Sequence, residues 1–417
     1  MFLYIFLVFG FSSLFYFVGA MCFLRWALNT VKFLVVCMSL TILLYASCIV
    51  YTLTTSPPCS DEKALQAIDK LCSDALRGRV FGNLCGPLCE TLDIRYSSCT
   101  SQGGEKDVFY VSWNNITTTS LVMKRARFLD IVGNDPYSSG TEQDLETSLL
   151  MKIESLVNRH LHIKKSFETV HDVLRLFWTM EKNVPIGSKK SDVFRNLHGL
   201  ALQKEFVLSI LYHNDDIFPK LHGSCGSFYF VERVPFTLHD VGITWSARVA
   251  VALKLLDLAH QLNYSFFGKL HVCDIKEDNF GVCYHNNSVK VHILDADSVV
   301  LNDNLVIENQ METRHCVNDA GCAEGNCRGV CNTKVGRCQR QLINTNLQVI
   351  CQQIFSDSDA NHHHGLLRHP PFVIRKGLEE ILQECISIQN VEETDDKTAL
   401  QEMEIIHKIR DLLLNTV

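Results

Sequence analysis

The stretch that decides the fold is Val272-Cys273-Asp274-Ile275-Lys276-Glu277-Asp278-Asn279-Phe280-Gly281-Val282, followed by His292-Ile293-Leu294-Asp295-Ala296-Asp297. It sets an Asp, a Lys two residues on and an Asn three beyond that between apolar runs, with a second Asp at the end of a later run. Asp and Asn are ordinary turn formers, so one reading is a plain helix-to-strand turn. Asp295 argues for more, because a carboxylate after an apolar run more often has a paired partner or an ion.

Working outward, Trp245 to Leu262 predicts an amphipathic helix, with Val249, Leu253, Leu256 and Ala259/His260 on one stripe and Leu255, Leu258 and Leu262 beside it, running directly into the motif loop. Strands are expected at Phe280–Tyr284 and Val289–Leu294 around the polar turn His285-Asn286-Asn287-Ser288. Upstream, a helix is expected from Val193 through Tyr212, then strands at Ile217–His222 and Phe228–Val234. Asp107–Trp113 and Ser120–Phe128 read as two strands, and Thr141 to about Asn183 as a charged helical region. Further helices are expected at Asp61–Leu76, Asn344–Phe355, Val373–Ile388 and Thr398–Leu414.

Phosphoryl transfer asks a protein mainly for position and countercharge: a Lys on the nucleotide phosphates, a Glu to orient it, an Asp to receive the hydroxyl proton, and Asn plus Asp to hold the metal. All five types occur here in that order. Leu121-Val122-Met123-Lys124 has the form of the strand that supplies the phosphate lysine, although Arg125 and Arg127 beside it also fit a solvated basic edge. Glu205 lies on a predicted helix, with Glu168 and Glu181 as rivals. Asp274 is the candidate base, Lys276 a charge near the transferred phosphate, and Asn279 and Asp295 the candidate metal ligands.

The chain has 417 residues, 39 basic and 46 acidic, with a net charge of −7 and no large basic surface, which argues against a nucleic-acid partner. Its first 24 residues carry no charge, and a second uncharged run extends from Phe33 to about Thr55. About 20 apolar residues suffice to cross a bilayer. Whether one run spans or both do, Arg25 and Lys32 in the connector favour the cytosol and put the remainder of the chain in a lumen. Of 18 cysteines, fifteen follow Pro58, five of them in Cys59–Cys99 and five in Cys316–Cys338. These clusters suggest disulfides in an oxidising compartment; no paired Cys-x2-Cys spacing favours zinc. An odd total leaves a free thiol or an intermolecular bond, and Cys273 is a candidate for the former. Sequons at Asn115, Asn263 and Asn286 fit the secretory lumen and a glycoprotein. His362-His363-His364 is read as an exposed loop before Pro370-Pro371 rather than a metal site.

The order of membrane anchor, cysteine cluster, Val-Met-Lys strand, long insertion, Cys-Asp-Ile-Lys-x-x-Asn-Phe-Gly loop, Leu-Asp-Ala-Asp strand end and second cysteine cluster resembles the divergent protein kinase domain 1 family. The resemblance implies an α+β, two-lobed protein-kinase-like fold with disulfide-rich insertions, anchored in the endoplasmic reticulum membrane with its large domain luminal. It implies ATP with magnesium or manganese as cofactor, held by Lys124, Glu205, Asn279 and Asp295, with Asp274 and Lys276 catalytic, and luminal or secreted proteins as substrates or ligands. The expected organisation is an anchoring region at 1–55 with its second span at about 33–54, a cysteine-rich segment at 56–104, an N-lobe at 105–240 with a helical insertion, and a C-lobe at 241–417 interrupted at 316–338.

The chain also departs from the pattern. Val272-Cys273 stands where His-Arg is usual, Asp295-Ala-Asp297 where Asp-Phe-Gly is usual, and no Ala-Pro-Glu follows. Only Gly103-Gly104 precede the first strand, so the phosphate-covering glycine loop has no clear counterpart. The family's inserted EF-hand is not legible, since Glu181–Asp192 lacks the carboxylate series that calcium needs, and calcium is not expected. These departures keep open an inactive pseudokinase that serves as a luminal binding or scaffolding module.

Overall fold

The computed structural model describes residues 59–416, with Met38 and Thr41 before them, apart from 101–104, 115–117, 131–141, 162–167, 179–188, Ile243, Phe267, 286–287, 302–314, 357–364 and 389–394. The two uncharged runs, apart from Met38 and Thr41 in the second, and the sequons at Asn115 and Asn286, the glycines at 103 and 104, Glu181 and the histidine tract fall outside these residues. Among the described residues no helix is long and apolar enough to cross a membrane. Asp61–Val417 form one compact unit, distinct from Met1–Ser60.

Helix α1 covers Asp61–Leu76, as its apolar spacing predicts. Strands β1 (Ile94–Cys99), β2 (Lys106–Asn114), β3 (Thr118–Ala126), β4 (Leu221–Cys225) and β5 (Phe228–Glu232) form one antiparallel sheet in the order β1-β2-β3-β5-β4. Leu121 through Lys124 are all buried, so the middle strand is covered on both faces and reads as a continuous apolar run rather than an alternation. The expected strand to Phe128 stops at Ala126, where Arg127–Asp130 close into a tight turn. The expected strand at Ile217–His222 begins only at Leu221, with Ile217 fully buried ahead of it.

Between β3 and β4 come α2 (Glu142–Leu161), α3 (Val170–Trp178), α4 (Lys190–Ala201) and α5 (Lys204–Leu211). The expected single helix through Tyr212 is therefore two helices. Gln203 breaks it by adopting extended backbone, and the break sets the start of α5.

The remaining part is mainly helical. Helix α6 (Trp245–Asn263) buries Val249, Ala252, Leu255, Leu256, Leu258, Ala259 and Leu262, while His260 at the predicted stripe's edge is exposed. Helices α7 (Asn346–Ile350), α8 (Arg375–Ile386) and α9 (Asp395–Leu414) close the chain, and the turn Cys351–Phe355 extends α7. The motif loop does not follow α6 directly. A short strand β7 (Leu270–Val272) intervenes, paired with β10 (Val299–Leu301), and β8 (Phe280–His285) and β9 (Ser288–Ile293) form the expected hairpin, to which β6 (Phe236–Thr237) adds a third strand beside β8. This mix of one sheet-rich and one helix-rich part is the α+β class.

Disulfides fasten the insertions to these elements. Cys72–Cys89 closes the first cluster, and Cys85–Cys225 ties it to β4. The second cluster folds as a small sheet of β11 (Ala323–Glu324), β12 (Cys327–Asn332) and β13 (Arg337–Leu342), stapled by Cys316–Cys331 and Cys322–Cys338. Cys351–Cys385 joins the end of α7 to α8. Cys59 and Cys99 are also disulfide-bonded. Cys273, the expected free thiol, is bonded to Cys327, and the free cysteine among the described residues is the half-buried Cys283 on β8. Asn263 of the remaining sequon donates to the buried Glu402 at 2.7 Å, so its amide is engaged in the fold.

Cys85–Cys225 spans 140 residues, and cross-links over long loops constrain the unfolded chain most. Replacing both by Ser should lower the unfolding free energy by roughly 2–5 kcal/mol in urea denaturation. An unchanged midpoint would contradict the staple.

Candidate nucleotide site

Lys124 lies near the end of β3, opposite Val108 on β2 and Tyr229 on β5. Its neighbours Arg125 and Arg127 turn to Asp107, at 3.3 and 2.9 Å, so the basic edge is theirs and Lys124 is buried. Glu205 sits in the first turn of α5, where Gln203 places it. The Gln203 Oε1 accepts from Ala126 N at 2.8 Å, and its Nε2 donates to Gly199 O at 3.0 Å and Ser227 O at 2.7 Å. One side chain thus fastens the start of α5 to the end of β3, two residues from Lys124.

The Lys124 Nζ donates to Glu205 Oε1 at 2.6 Å and to Leu294 O at 2.9 Å, directly before Asp295. Glu168, the rival, is exposed. Around the other Glu205 oxygen the structure gathers residues not singled out from sequence. Lys106, the first residue of β2, donates to Glu205 Oε2 and to Asp295 Oδ1 at 3.0 Å, and meets Asp297 Oδ2 at 2.8 Å. Lys204 Nζ donates to Asp297 O at 3.0 Å. The signal for Lys106 lay in the two-residue period: opposed residues of an antiparallel pair share a face, so Lys106 is on the same face as Val108 and hence Lys124. The strand was expected to begin one residue later.

Burying such charges is costly unless each finds a partner. Burial alone pulls the Lys106 ammonium down, but Glu205, with Asp297 and Asp295 adding to it, holds it well above the usual lysine range. Burial pushes the Glu205 and Asp295 carboxyls up, and the lysines more than reverse this, leaving both below their ordinary values. Asp297 stays above its ordinary value because burial outweighs Lys106. Lys204 is lowered to about 8 by burial, against the pull of Asp297 and Asp295.

The loop from β7 to β8 presents the remaining candidates. Asn279 Nδ2 donates to Asp274 O and Asp274 Oδ2, both at 2.8 Å, and Lys276 Nζ lies 2.7 Å from the same Oδ2. Leu294 N donates to Asn279 O at 2.8 Å, joining this loop to the strand end that carries Asp295. From the other side the second cysteine cluster grips it. Cys273 bonds Cys327, Asn326 N donates to Cys273 O at 2.6 Å, and Asn326 Oδ1 accepts from Ile275 N. Gly325 permits this approach: its φ is +54°, and a Cβ there would lie 1.9 Å from Cys273 O.

A lysine on a sheet, a helix glutamate paired with it, and an Asp-x-Lys-x-x-Asn loop bonded to an aspartate-bearing strand end define a kinase-like protein. Residues 197–388 match the family model described as the protein-kinase domain of FAM69, and residues 24–166 match that described as the N-terminal cysteine-rich ER region of FAM69. The chain belongs to that family, the divergent protein kinase domain 1 family.

Removing the Glu205 carboxylate strips Lys124 of its carboxylate partner and Lys106 of one of three. Glu205→Ala should cost roughly 3–5 kcal/mol of stability, the scale for breaking a buried ion pair. Exposed Glu168→Ala should stay within about 0.5 kcal/mol. Equal unfolding midpoints for the two variants would contradict the buried bridge.

Proposed function

We propose that the chain is an endoplasmic-reticulum-membrane protein whose luminal domain binds ATP with magnesium or manganese and transfers its phosphoryl group to luminal or secreted proteins. The observation that carries this reading is the Lys124–Glu205 pair at 2.6 Å, with Lys124 also on the carbonyl next to Asp295. It gives a lysine already held in place by a carboxylate, as a preorganised phosphate contact requires. The luminal placement is supported by the oxidised cysteines and by the family model's description of the N-terminal region as an ER segment.

In this reading Lys124 meets the nucleotide phosphates, Asp274 accepts the proton of the acceptor hydroxyl, and Lys276 offsets charge on the transferred group. Asn279 uses Nδ2 toward Asp274, and Asp295 uses Oδ1 toward Lys106 and Asp297 N. Asn279 Oδ1 and Asp295 Oδ2 are then oxygen donors of the kind magnesium takes. The metal, when bound, supplies countercharge to the phosphates. The pseudokinase reading draws its support from Val272-Cys273 in place of the usual His-Arg.

The full chain should show an ATP-dependent rise in melting temperature that requires magnesium or manganese. Asp274→Asn should keep that rise and lose phosphoryl transfer to a luminal protein extract by at least about a hundredfold, the scale of a general base. Asp295→Asn should lose both. Nucleotide binding without turnover in the unmutated chain would favour the pseudokinase; no binding at all would overturn the phosphoryl-transfer reading.

A further inference from the structure

Glu205, Asp295 and Asp297 each offer an oxygen within 4.8 Å of the others, a spacing that one shared cation could satisfy. The centre of that trio is taken by the protein itself. Lys106 Nζ reaches Glu205 Oε2, Asp295 Oδ1 at 3.0 Å and Asp297 Oδ2 at 2.8 Å, so its three N–H donors face three carboxylates. An ammonium is a compact point charge, the closest a side chain comes to a bound ion.

Lys106 is not a surface lysine that happens to lean inward, being only 8% exposed and set by the β2–β3 register on the face that carries Lys124. Nor is it redundant with Lys124, whose ammonium is committed to Glu205 Oε1 and Leu294 O. A divalent ion entering the trio would meet this ammonium at contact distance, where like charges repel strongly. Asn279 Oδ1 and Asp295 Oδ2 are not the atoms used in the bonds to Asp274, Lys106 and Asp297 N, and they are left as oxygen donors for one ion.

Kinase sites hold two magnesium ions with the nucleotide. We infer that the Lys106 ammonium stands in for one of them, so that this site takes a single divalent ion per nucleotide. The inference rests on the nucleotide-binding reading given above. Lys106 is in this sense a specificity residue: it sets the metal count.

The test is a manganese titration of the full chain, followed by electron paramagnetic resonance of the free ion, at saturating non-hydrolysable ATP analogue. The expected result is one bound ion in the unmutated protein, one in Lys106→Arg and two in Lys106→Met. Two ions in the unmutated protein would overturn the inference without any variant, as would one ion in a Lys106→Met protein that keeps its cooperative melting transition. If no nucleotide binds, the phosphoryl-transfer reading fails by itself. The nucleotide-free titration then decides Lys106: Lys106→Met gains a manganese ion that the unmutated chain lacks if the ammonium fills the trio, and gains none if it does not.

Discussion

The Glu205 carboxylate is the constraint on which the site depends. It is 4% exposed, and its two oxygens are divided between Lys124 and Lys106. A carboxylate in that position cannot be left unpaired, and neither lysine can be withdrawn without stranding charge in the interior. This single group therefore fixes helix α5 against β2 and β3 at once. Asp295 and Asp297 are drawn in through Lys106, and through Asp295 the motif loop is joined as well. Charge balance acts here together with the apolar packing of Phe206, Val207, Leu208 and Ile210 on the same helix.

A second constraint acts on the opposite side of the motif loop. Kinase loops are commonly controlled by a mobile, phosphorylatable segment. Here the segment that follows Asp297 enters a disulfide-stapled sheet, which holds Cys273 and Ile275 by one covalent and two backbone-directed bonds. Asp274 lies between those two anchored residues. The disulfide and these two bonds fix the backbone on either side of Asp274.

Much of this was legible in the sequence because it rests on local signals. The Val-Met-Lys strand and the Asp-x-Lys-x-x-Asn spacing each stand within a short window and yield Lys124, Asp274, Lys276 and Asn279, while Asp295 comes from the apolar run before it and Glu205 from the predicted helix that carries it. What stayed hidden depends on long-range pairing. Lys106 became a site residue only through its register with β3, and a strand start misjudged by one residue concealed it. The break at Gln203 was invisible because glutamine is a good helix former; tertiary hydrogen bonds to Ala126 and Ser227 overrode that preference. Cys273 looked like a free thiol beside a reactive carboxylate, since cysteine count alone cannot assign partners. Its bond to Cys327 across 54 residues exists because the Gly325-Asn326 turn brings the two together.

In the proposed function Lys124, held at the Glu205 carboxylate, faces the phosphates of a nucleotide. An acyl-phosphate derivative of ATP, which transfers its acyl group to the nearest lysine amine, reads this out in the full chain by peptide mapping. The expected result is labelling at Lys124 that free ATP suppresses. Labelling confined to exposed lysines such as Lys376, and indifferent to ATP, would contradict it.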